Sequence, residues 1–594
     1  MEKGLYSMRN LKFVLYEVFD VVGLSNHGRF KLHTRETYDM LLDVSEKIAA
    51  EHLRNHLRES DRNPPRLING QVTVLRDLHY YYKAFCDAGL LSATFDERYS
   101  GFSLPNTVFA AADFIIGNAH NGFEMFTSLS KGAARLIESF GSAALKETYL
   151  NKILEGQWTA TMCLTESQAG SSLSNITTTA YPQQDGSYSI RGHKIFISAG
   201  DHDITENIVH LALVRIQGAP PGTRGISLFV IPKKRPVDGQ LMPNDVTSVA
   251  MYHKMGQRST PAMHLEFGTN DDCKGFLVGE PHKGLAYMFQ MMNSFRVGIG
   301  LAGSYIATAA YYASLQYAKE RKQGRRPGDS ESAGQTPIIN HPDVRRMLFL
   351  QKSIAEGTFS LVMQCNLYAD LESVSKDAER QRYRDLQELL TPVAKAYGSE
   401  MGIVSVNAGL QVLGGYGYTD DFILEQLARD VRIMTLYEGT TGIQAQALLG
   451  RQIPANDGKA FGLLKEEIRT TIDNSTTTEL APYCEWLNTE VDLLEKTTIM
   501  LLERRADPEI FLMDANLYME LFGIVCVAWQ WLRQALVAGR ALQKSQGNDS
   551  IFYRSKIDTM KFFFHYELVK TRSLHAKLGD KLALTPVRDI ETLI

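Results

Sequence analysis

The stretch His210-Leu-Ala-Leu-Val-Arg-Ile-Gln-Gly-Ala-Pro-Pro-Gly-Thr-Arg-Gly-Ile-Ser-Leu-Phe-Val-Ile231 contains two short apolar runs on either side of a segment of turn-forming residues. Runs rich in Val, Ile, Leu and Phe that are bounded by Gly and Pro are typical of β-strands. The same texture begins near residue 159 and continues to about residue 280. The sequence therefore predicts a small β domain in the middle of the chain.

The regions on both sides have the periodicity of helices. Apolar residues recur three and four positions apart in segments 37–57 and 72–88 before the β region, and in 303–322 and 391–413 after it. This spacing places them on one face of a helix. One break, at 323–340, is rich in Gly, Pro, Ser and Arg, and we expect it to form a mobile surface loop.

The order of these regions predicts the fold class. A chain of 594 residues exceeds the size at which a single hydrophobic core stops growing, so several domains are expected. The order is helical, β, helical, and then a further helical block at 453–594. We therefore predict an α+β protein that is mainly α, with a β domain flanked by helical domains.

Composition and charge exclude several classes of protein. The net charge of −4 does not suggest binding to nucleic acid. The six cysteines are scattered without CxxC spacing, so we predict neither a metal site nor a disulfide scaffold. The N-terminus has no long apolar run, and we identify no stretch of about 18 uncharged apolar residues. We therefore expect a cytoplasmic protein without a transmembrane segment.

Two separated segments carry residues that suit a ligand site. The first, Cys163-Leu-Thr-Glu-Ser-Gln-Ala-Gly-Ser-Ser172, has Gly and Ser residues whose backbone N–H groups suit a phosphate or a ring. The second, Gly192-His-Lys-Ile-Phe-Ile-Ser-Ala-Gly200, is an apolar strand with polar ends. Taken alone, the first is also compatible with a plain hairpin loop, and an ordinary β-strand explains the second.

A third segment combines Leu410-Gln-Val-Leu-Gly-Gly-Tyr-Gly-Tyr418 with Asp430-Val-Arg-Ile-Met-Thr-Leu-Tyr-Glu-Gly-Thr-Thr-Gly-Ile-Gln444. A lone carboxylate, Glu438, stands there between Tyr437 and Gly439. An apolar and aromatic setting takes water from a carboxyl and raises its pKa towards the range of a general base. From the local residues alone, a glutamate at a helix end beside a glycine turn is the simpler interpretation, so both stay open.

One further motif is typical of proteins that bind a dinucleotide cofactor. Residues 298–303 match the GxGxxG pattern of dinucleotide-binding folds, and Glu320 lies at about the distance of a ribose-binding acid. That pattern requires a preceding strand, whereas residues 286–295 have no strand-like alternation. We therefore interpret these glycines as small residues that let two helices pack closely.

Taken together, the three segments resemble the acyl-CoA dehydrogenase family, in the same order and spacing over residues 75–452. The resemblance implies FAD as the cofactor, an acyl-CoA as the substrate, and a fold of a helical domain, a small β-barrel-like domain and a four-helix bundle. Residues 8–19 and the chain length resemble the long bacterial branch that includes the methylmercaptopropionyl-CoA dehydrogenases. The domains expected from this resemblance are an N-terminal cap (1–36), the helical domain (37–158), the β domain (159–280), the bundle (281–452) and an additional helical domain (453–594).

The resemblance also implies the residues that hold the flavin. Contacts within one subunit are expected from Met162, Leu164, Thr165, Gly170, Ser171, Phe196, Ile197 and Ser198. Contacts with the FAD of the neighbouring subunit are expected from Arg321, Gln411, Gly414 and Gly415. The adenine-side contacts are expected from Thr440 and Gln444. The sequence departs from the family at Ser172, where Asp is usual, and at Gln323-Gly324, where Phe-Gly is usual.

The implied reaction is α,β-dehydrogenation of an acyl-CoA thioester to a trans-2-enoyl-CoA. Glu438 would remove the α proton while the β hydrogen leaves as a hydride to flavin N5. The implied substrate contacts are Ser171, Asn293, Arg296 and Gly439. Some relatives carry the base just before the CoA-contacting arginine, but that position here is Phe295, which cannot act as a base. We expect a homodimer, with an electron-transfer flavoprotein as the electron acceptor and a role in fatty acid β-oxidation.

Two alternatives stay open at this level. An acyl-CoA oxidase would share these motifs and pass its electrons to oxygen. A DNA-binding flavoprotein relative is the other alternative, because residues 531–577 carry nine Lys and Arg against three Asp and Glu. A solvated helical surface is the usual explanation for such a basic face, and a weak peripheral contact with a membrane would also explain it.

Overall fold

The computed structural model describes residues 4–330, 332, 334–475, 478–580, 582 and 585–586. Contacts divide the chain into two compact units. Unit 1 is built mainly from Arg35–Leu104 and Ala112–Phe295, and unit 2 from Leu5–Thr34, Pro105–Ala111 and the described residues from Arg296 onward. This division is coarser than the five domains expected from the sequence, whose boundaries stay a prediction.

Helices are found along most of the described chain, as the periodicity predicted. The α-helices are, in chain order, α1 (Met8–Lys12), α2 (Arg35–Ile48), α3 (Leu57–Arg62), α4 (Arg76–Asp87), α5 (Asn106–Ala119), α6 (Glu124–Phe140), α7 (Ala143–Leu145), α8 (Asn151–Leu154), α9 (Gly284–Glu320), α10 (Pro342–Val374), α11 (Asp377–Leu413), α12 (Leu424–Val431), α13 (Thr441–Ala447), α14 (Lys459–Asp473), α15 (Ala481–Leu502), α16 (Pro508–Leu512), α17 (Ala515–Leu542), α18 (Gly547–Phe563) and α19 (Lys570–Gly579). Short 3₁₀ and π-helical turns extend or link several of them.

The strands all belong to unit 1. They are β1 (Arg66–Ile68), β2 (Gln71–Thr73), β3 (Trp158–Cys163), β4 (Thr179–Pro182), β5 (Tyr188–Ser198), β6 (Asn207–Ile216), β7 (Ile226–Pro232), β8 (Lys234–Val237), β9 (Gln240–Pro243), β10 (Val246–Met251), β11 (Ala262–Phe267) and β12 (Lys274–Val278). The two apolar runs on either side of the Gly and Pro turn are β6 and β7, so both strand predictions are confirmed.

The strands after residue 157 form a barrel-like sheet. The pairings β5–β12, β12–β7, β7–β6, β6–β4 and β4–β5 close a ring, while β11 and β10 extend from β5 and β3 extends from β6. Its core contains buried apolar side chains from facing strands, among them Ile190, Val214, Phe229 and Ile231. The continuous apolar runs of β6 and β7 are explained by this burial, because an alternating pattern appears only when one face meets water.

The long helices α9, α10 and α11 form the centre of unit 2. The GxGxxG residues lie inside α9, with no strand before them. A Cβ on Gly300 would lie 2.6 Å from the carbonyl oxygen of Ala394, and one on Gly303 would collide with the carbonyl of Gly398, both on α11. The interpretation of these glycines as a close helix contact is therefore confirmed.

The added C-terminal block packs against this bundle. The Trp531 indole on α17 donates a 3.0 Å hydrogen bond to the carbonyl of Ser353 on α10, and Ser360 donates one of 2.8 Å to the Gln530 side chain. Gly523 leaves room for Tyr397 of α11. The apolar run at 522–532 therefore packs against the bundle.

This C-terminal block also contains a helical stretch, made of α16 and α17, that the sequence did not indicate as a membrane candidate. Within the described residues, Pro508–Leu542 is long and apolar enough to cross a membrane, with 61% of its most apolar window buried. Much of α17 is buried, including Trp529 and Trp531. Its composition is therefore explained by its place in the core of unit 2.

A buried polar cluster joins three parts of the chain in unit 2. The ammonium of Lys556 on α18 lies 2.7 Å from Glu356 on α10, 3.3 Å from Gln534 on α17, and also contacts Asn10 on α1. The Lys556 side chain is fully buried. Arg9 adds a 2.8 Å hydrogen bond to the Tyr553 hydroxyl. The N-terminal segment is thereby fixed to helices at the other end of the sequence.

Two local predictions need comment. The segment 72–88 was expected to be helical, but its first residues belong to β2, which pairs with β1, and the helix begins at Arg76. The signal overlooked was Asn69-Gly70: both residues have positive φ, 52° and 75°, as a tight hairpin turn requires. The loop at 323–340 has no strand, and its only helical turn is Ile338–Asn340, while residues 331 and 333 lie outside the described residues.

Replacing Lys556 by Met should lower the free energy of unfolding by about 3–5 kcal/mol, because Glu356 is left as a buried charge without its cation. Urea unfolding of the full chain measures this loss. The control Lys561→Met removes a cation of the same helix, whose partner Glu479 is exposed, and should cost less than about 1 kcal/mol. Adding Glu356→Met to Lys556→Met should restore most of the loss, and an unchanged single variant would contradict the role of the pair.

Candidate active site

The first predicted flavin segment begins where the chain leaves β3 in unit 1. Met162 is buried in the strand, while Leu164 and Thr165 follow it. The Lys194 ammonium, on β5, donates 3.1 Å to the carbonyl of Leu164, and the backbone N–H of Ile195 donates 2.9 Å to the carbonyl of Thr165. The loop is therefore fixed to β5 on both sides of the Thr165 side chain.

A buried ion pair reinforces this attachment. Lys194 lies 2.8 Å from Glu166, and neither side chain is exposed. Burial alone would raise the pKa of Glu166, but the charge of Lys194 and the N–H and hydroxyl donors of Thr177 and Thr178 lower it to about 2. A pKa this low keeps Glu166 ionised near neutral pH, which suits a structural anion better than a base.

The second segment has an irregular strand at its centre. Ile197 pairs with Met263 and Lys194 with Leu265, so two residues of β5 face one residue of β11, which is a β-bulge. Phe196 lies in this bulge with φ of 58°, and 58% of it is exposed. A large side chain in the left-handed region is strained, and such strain is concentrated at functional sites. Its ring packs on Tyr252 at 4.4 Å between centroids and leaves a face open for a ligand.

The remaining unit 1 residues predicted at the site lie on the surface or near it. Gly170 and Ser171 are exposed in the loop after Thr165, and Ser198 is partly buried at the end of β5. Asn293 lies on α9 and is partly buried. The structure thus brings the two flavin segments together and leaves the exposed side of each accessible.

In unit 2, three of the residues expected at the neighbouring subunit's FAD line one pocket. Arg321, Gly414 and Gly415 border a volume of about 590 Å³, together with His341 and Tyr416. Gly414 has φ of 62°, and no atom lies where its Cβ would be. An arginine beside accessible glycine backbone is a suitable setting for a phosphate.

Gln411 does not line this pocket. It is exposed on the last turn of α11, where its carbonyl accepts a hydrogen bond from the N–H of Gly414. Its predicted role at the cofactor stays a prediction, as does the adenine contact of Thr440, whose hydroxyl accepts a hydrogen bond from the N–H of Ile443 at the start of α13.

The predicted base lies in a tight turn of unit 2 just before α13. Glu438 and Gly439 are both left-handed, with φ of 54° and 88°. The Gln444 amide donates 3.0 Å to the carbonyl of Glu438 and 3.3 Å to that of Gly439. The Lys395 ammonium, on α11, donates 2.8 Å to the carbonyl of Gly439. Two side chains therefore hold the two peptide groups that follow the base.

Electrostatics at this turn favour a carboxyl suited to proton abstraction. Burial raises the pKa of Glu438 above its ordinary value, while the charges of Arg296 and Lys395 lower it in part. The raised pKa expected from the sequence is thus confirmed in direction. Burial also lowers the pKa of Lys395 to about 8. At this turn, two buried cations therefore act on the pKa of one carboxyl.

Sequence reasoning found some members of this site and missed others. The structure brings Arg296, Glu438, Gly439 and Gln444 together in unit 2. The role that the resemblance implies for each of them stays a prediction. The structure adds Lys395, which the motifs did not include. One signal in the sequence could have found it. Lys395 is the single charged residue among the apolar and small residues of 391–398, a segment that is buried in the structure.

The predicted cofactor fits the residues that are present. An exposed aromatic ring stands on a bulge beside a hydroxyl-bearing loop, and a glycine-lined pocket carries an arginine. These groups suit a flat ring system and a pyrophosphate respectively.

Comparison with protein families agrees with this geometry. Four family profiles match in sequence order: "Acyl-CoA dehydrogenase, N-terminal domain" at residues 35–157, the "middle domain" at 161–269, the "C-terminal domain" at 282–453, and "Acetyl-CoA dehydrogenase C-terminal like" at 464–583. The last match corresponds to the added helical block.

Curated relatives match over nearly the whole chain. The 3-methylmercaptopropionyl-CoA dehydrogenase of Ruegeria pomeroyi is 36% identical, covering 88% of this chain and 88% of that protein. A butyryl-CoA dehydrogenase of Syntrophomonas wolfei is 33% identical over 95% of this chain and 94% of that protein.

Solved structures share the fold. An acyl-CoA dehydrogenase from Bacillus anthracis complexed with FAD has a TM-score of 0.74 at 19% identity, covering 95% of this chain and 91% of that one. ACDH-11 of Caenorhabditis elegans in complex with C11-CoA has the same TM-score at 18% identity, covering 97% and 94%. Because the profiles, the full-length relatives and the fold agree, the chain belongs to the acyl-CoA dehydrogenase family of FAD-dependent oxidoreductases, which act on acyl-CoA substrates.

Proposed function

We propose that the protein oxidises an acyl-CoA thioester between Cα and Cβ to a trans-2-enoyl-CoA, with Glu438 as the catalytic base. The observation that carries the proposal is the setting of Glu438, a carboxyl with a raised pKa in a turn held by Lys395 and Gln444. A base must be ionised to accept a proton and basic enough to hold it. Burial makes the Glu438 carboxylate more basic, and the nearby cations Arg296 and Lys395 favour its ionised form.

The α proton of a thioester is a weak acid, so its removal needs stabilisation of the charge that develops on the carbonyl oxygen. The Glu438 backbone N–H is the donor that the resemblance assigns to this oxygen. Its direction depends on the left-handed conformation of Glu438. Buried Arg296 would attract the negatively charged CoA portion of the substrate, and its charge lowers the pKa of Glu438 against the effect of burial.

The residues that would hold the cofactor come from two groups. Thr165, Phe196 and Ser198 would contact the flavin ring, and Arg321 with Gly414 would contact the pyrophosphate. When bound, FAD supplies the acceptor for the β hydrogen, which leaves Cβ as a hydride to flavin N5 while the Cα–Cβ double bond forms. The α proton goes to Glu438, so protons and electrons balance.

We further propose a cytoplasmic homodimer that works in fatty acid β-oxidation and passes electrons from reduced FAD to an electron-transfer flavoprotein. The pocket at Arg321 supports the dimer, because in the family this segment acts on the FAD of the neighbouring subunit. The names of the relatives make 3-methylmercaptopropionyl-CoA and butyryl-CoA the first substrates to test.

An acyl-CoA panel with a dye acceptor tests the reaction class. Turnover should be found among short acyl-CoAs, including butyryl-CoA and 3-methylmercaptopropionyl-CoA, with the 2-enoyl-CoA as product by mass spectrometry. Hydrogen peroxide formed at the same rate without dye would instead identify an oxidase. Absence of turnover together with DNA binding that weakens steeply with salt would identify the DNA-binding relative.

Replacing Glu438 by Gln should lower kcat by at least about 10²-fold, because the amide keeps the shape of the side chain but cannot accept the proton. FAD content should be unchanged. Since the pKa of Glu438 is raised, kcat/KM of the unaltered protein should fall with decreasing pH at a midpoint above that of an ordinary glutamate. The control Glu466→Gln alters an exposed carboxyl paired with Arg382 and should leave turnover intact. Near-normal turnover of Glu438→Gln would assign the base elsewhere.

Light scattering of the full chain should give a dimer, and Arg321→Gln should weaken retention of FAD during gel filtration, because the pocket loses its guanidinium. The control Arg346→Gln removes an exposed arginine paired with Asp343 and should retain FAD. A monomer that keeps its FAD would refute the shared site. A tetramer would refute the proposed homodimer.

A further inference from the structure

Lys395 is a buried cation whose place in the fold is not explained by an ion pair. Its side chain has no exposed surface, and within the described structure no carboxylate oxygen lies within 4 Å of its ammonium. Its hydrogen-bond acceptor is the carbonyl of Gly439 at 2.8 Å. Burying an ammonium costs several kcal/mol, and one carbonyl does not offset that cost. Stability therefore does not account for a lysine at this position.

The carbonyl that it contacts belongs to a strained turn. Glu438 occupies the left-handed region, which strains a residue with a Cβ, and Gly439 follows in the same region. Such a conformation persists when its surroundings fix it. Gln444 holds the Glu438 carbonyl, and Lys395 holds the next one with a charge-assisted hydrogen bond. Together they hold the backbone from which the Glu438 side chain extends.

We infer that Lys395 is a positioning residue for the reaction: its ammonium fixes the Glu438–Gly439 turn, and its positive charge favours the ionised form of the Glu438 carboxyl. This inference rests on the proposed function, in which Glu438 is the base. Lys395 need not touch the substrate or the cofactor, because it acts through the turn. Its lowered pKa, to about 8, agrees with a cation held in a site poor in water.

The charged groups around the turn determine the direction of the pH effect. Arg296 from α9 and Lys395 from α11 both lower the pKa of Glu438, against the effect of burial. Glu400 on α11 acts on Lys395, and Arg451 acts on Arg296. Removing the charge of Lys395 takes away one of the two stabilising cations, so the pKa of Glu438 must rise. The acid limb of kcat/KM therefore moves to higher pH.

The test compares three variants of the full-length FAD-loaded protein. Lys395→Met removes charge and donor at similar length, Lys395→Gln keeps a donor without charge, and Lys395→Arg keeps both. Lys459→Met is the matched control, since Lys459 is an exposed lysine paired with Asp385 in the N-terminal part of α11. The readouts are kcat, KM, the pH profile of kcat/KM, FAD content and the melting temperature.

Lys395→Met should lower kcat by at least about 10-fold, because a misplaced base reacts slowly, with KM changed by less than about threefold. Its acid limb should move up by at least about half a pH unit. Lys395→Gln should show the same pH shift with a smaller loss of kcat, and Lys395→Arg should keep the unshifted pH limb. The Lys459→Met control should match the unaltered protein.

Several outcomes would overturn the inference. An unchanged kcat and pH limb in Lys395→Met would remove any positioning role. Failure of all three Lys395 variants to fold or to keep FAD would show a purely structural role. Glu438→Gln, measured in parallel, separates this from the proposed function: if that variant stays active, the assignment of the base is wrong, whereas an inactive Glu438→Gln with a normal Lys395→Met removes the role of Lys395 alone.

Discussion

The close approach of α9 and α11 is the contact on which the candidate active site depends. Glycines at the crossing let the two backbones meet without intervening side chains. Arg296 lies four residues before Gly300 on α9, and Lys395 lies three residues before Gly398 on α11. Residues three or four apart share a helix face, so the crossing brings both cations to the same side as the Glu438 turn. Larger residues at the crossing would separate the charges from the base.

Two glutamates of this chain show how the surroundings of a carboxyl determine its role. Glu166 meets an ammonium directly and accepts several N–H and hydroxyl donors, and its pKa falls to about 2. Glu438 is influenced by cations through space while burial dominates, and its pKa rises. The first can only anchor a loop, and the second can exchange a proton. Identical side chains therefore differ in the acid–base behaviour that their surroundings allow.

Much of this arrangement could be predicted from the sequence, because the relevant signals are local. The strands β6 and β7 follow from their apolar runs, and the helical period predicted α9 and α11. The Asn69-Gly70 hairpin was also readable but was outweighed by the helical pattern after it. Lys395 and Lys194 were not predicted, because each acquires its role from a partner far along the chain. No spacing rule identifies such a pair before the fold is known.

The polar cluster around Lys556 also has a consequence for the order of events during biosynthesis. Arg9 and its hydrogen-bond partner Tyr553 are 544 residues apart in sequence. At ribosomal elongation rates, the N-terminal segment leaves the exit tunnel on the order of a minute before α18 does. During that interval its apolar residues, among them Phe13 and Leu15, lack the part of their native contacts that α17 and α18 provide. The nascent chain therefore carries an apolar N-terminal segment that stays partly exposed until translation is almost complete. We expect chaperones that bind at the ribosome to contact this segment.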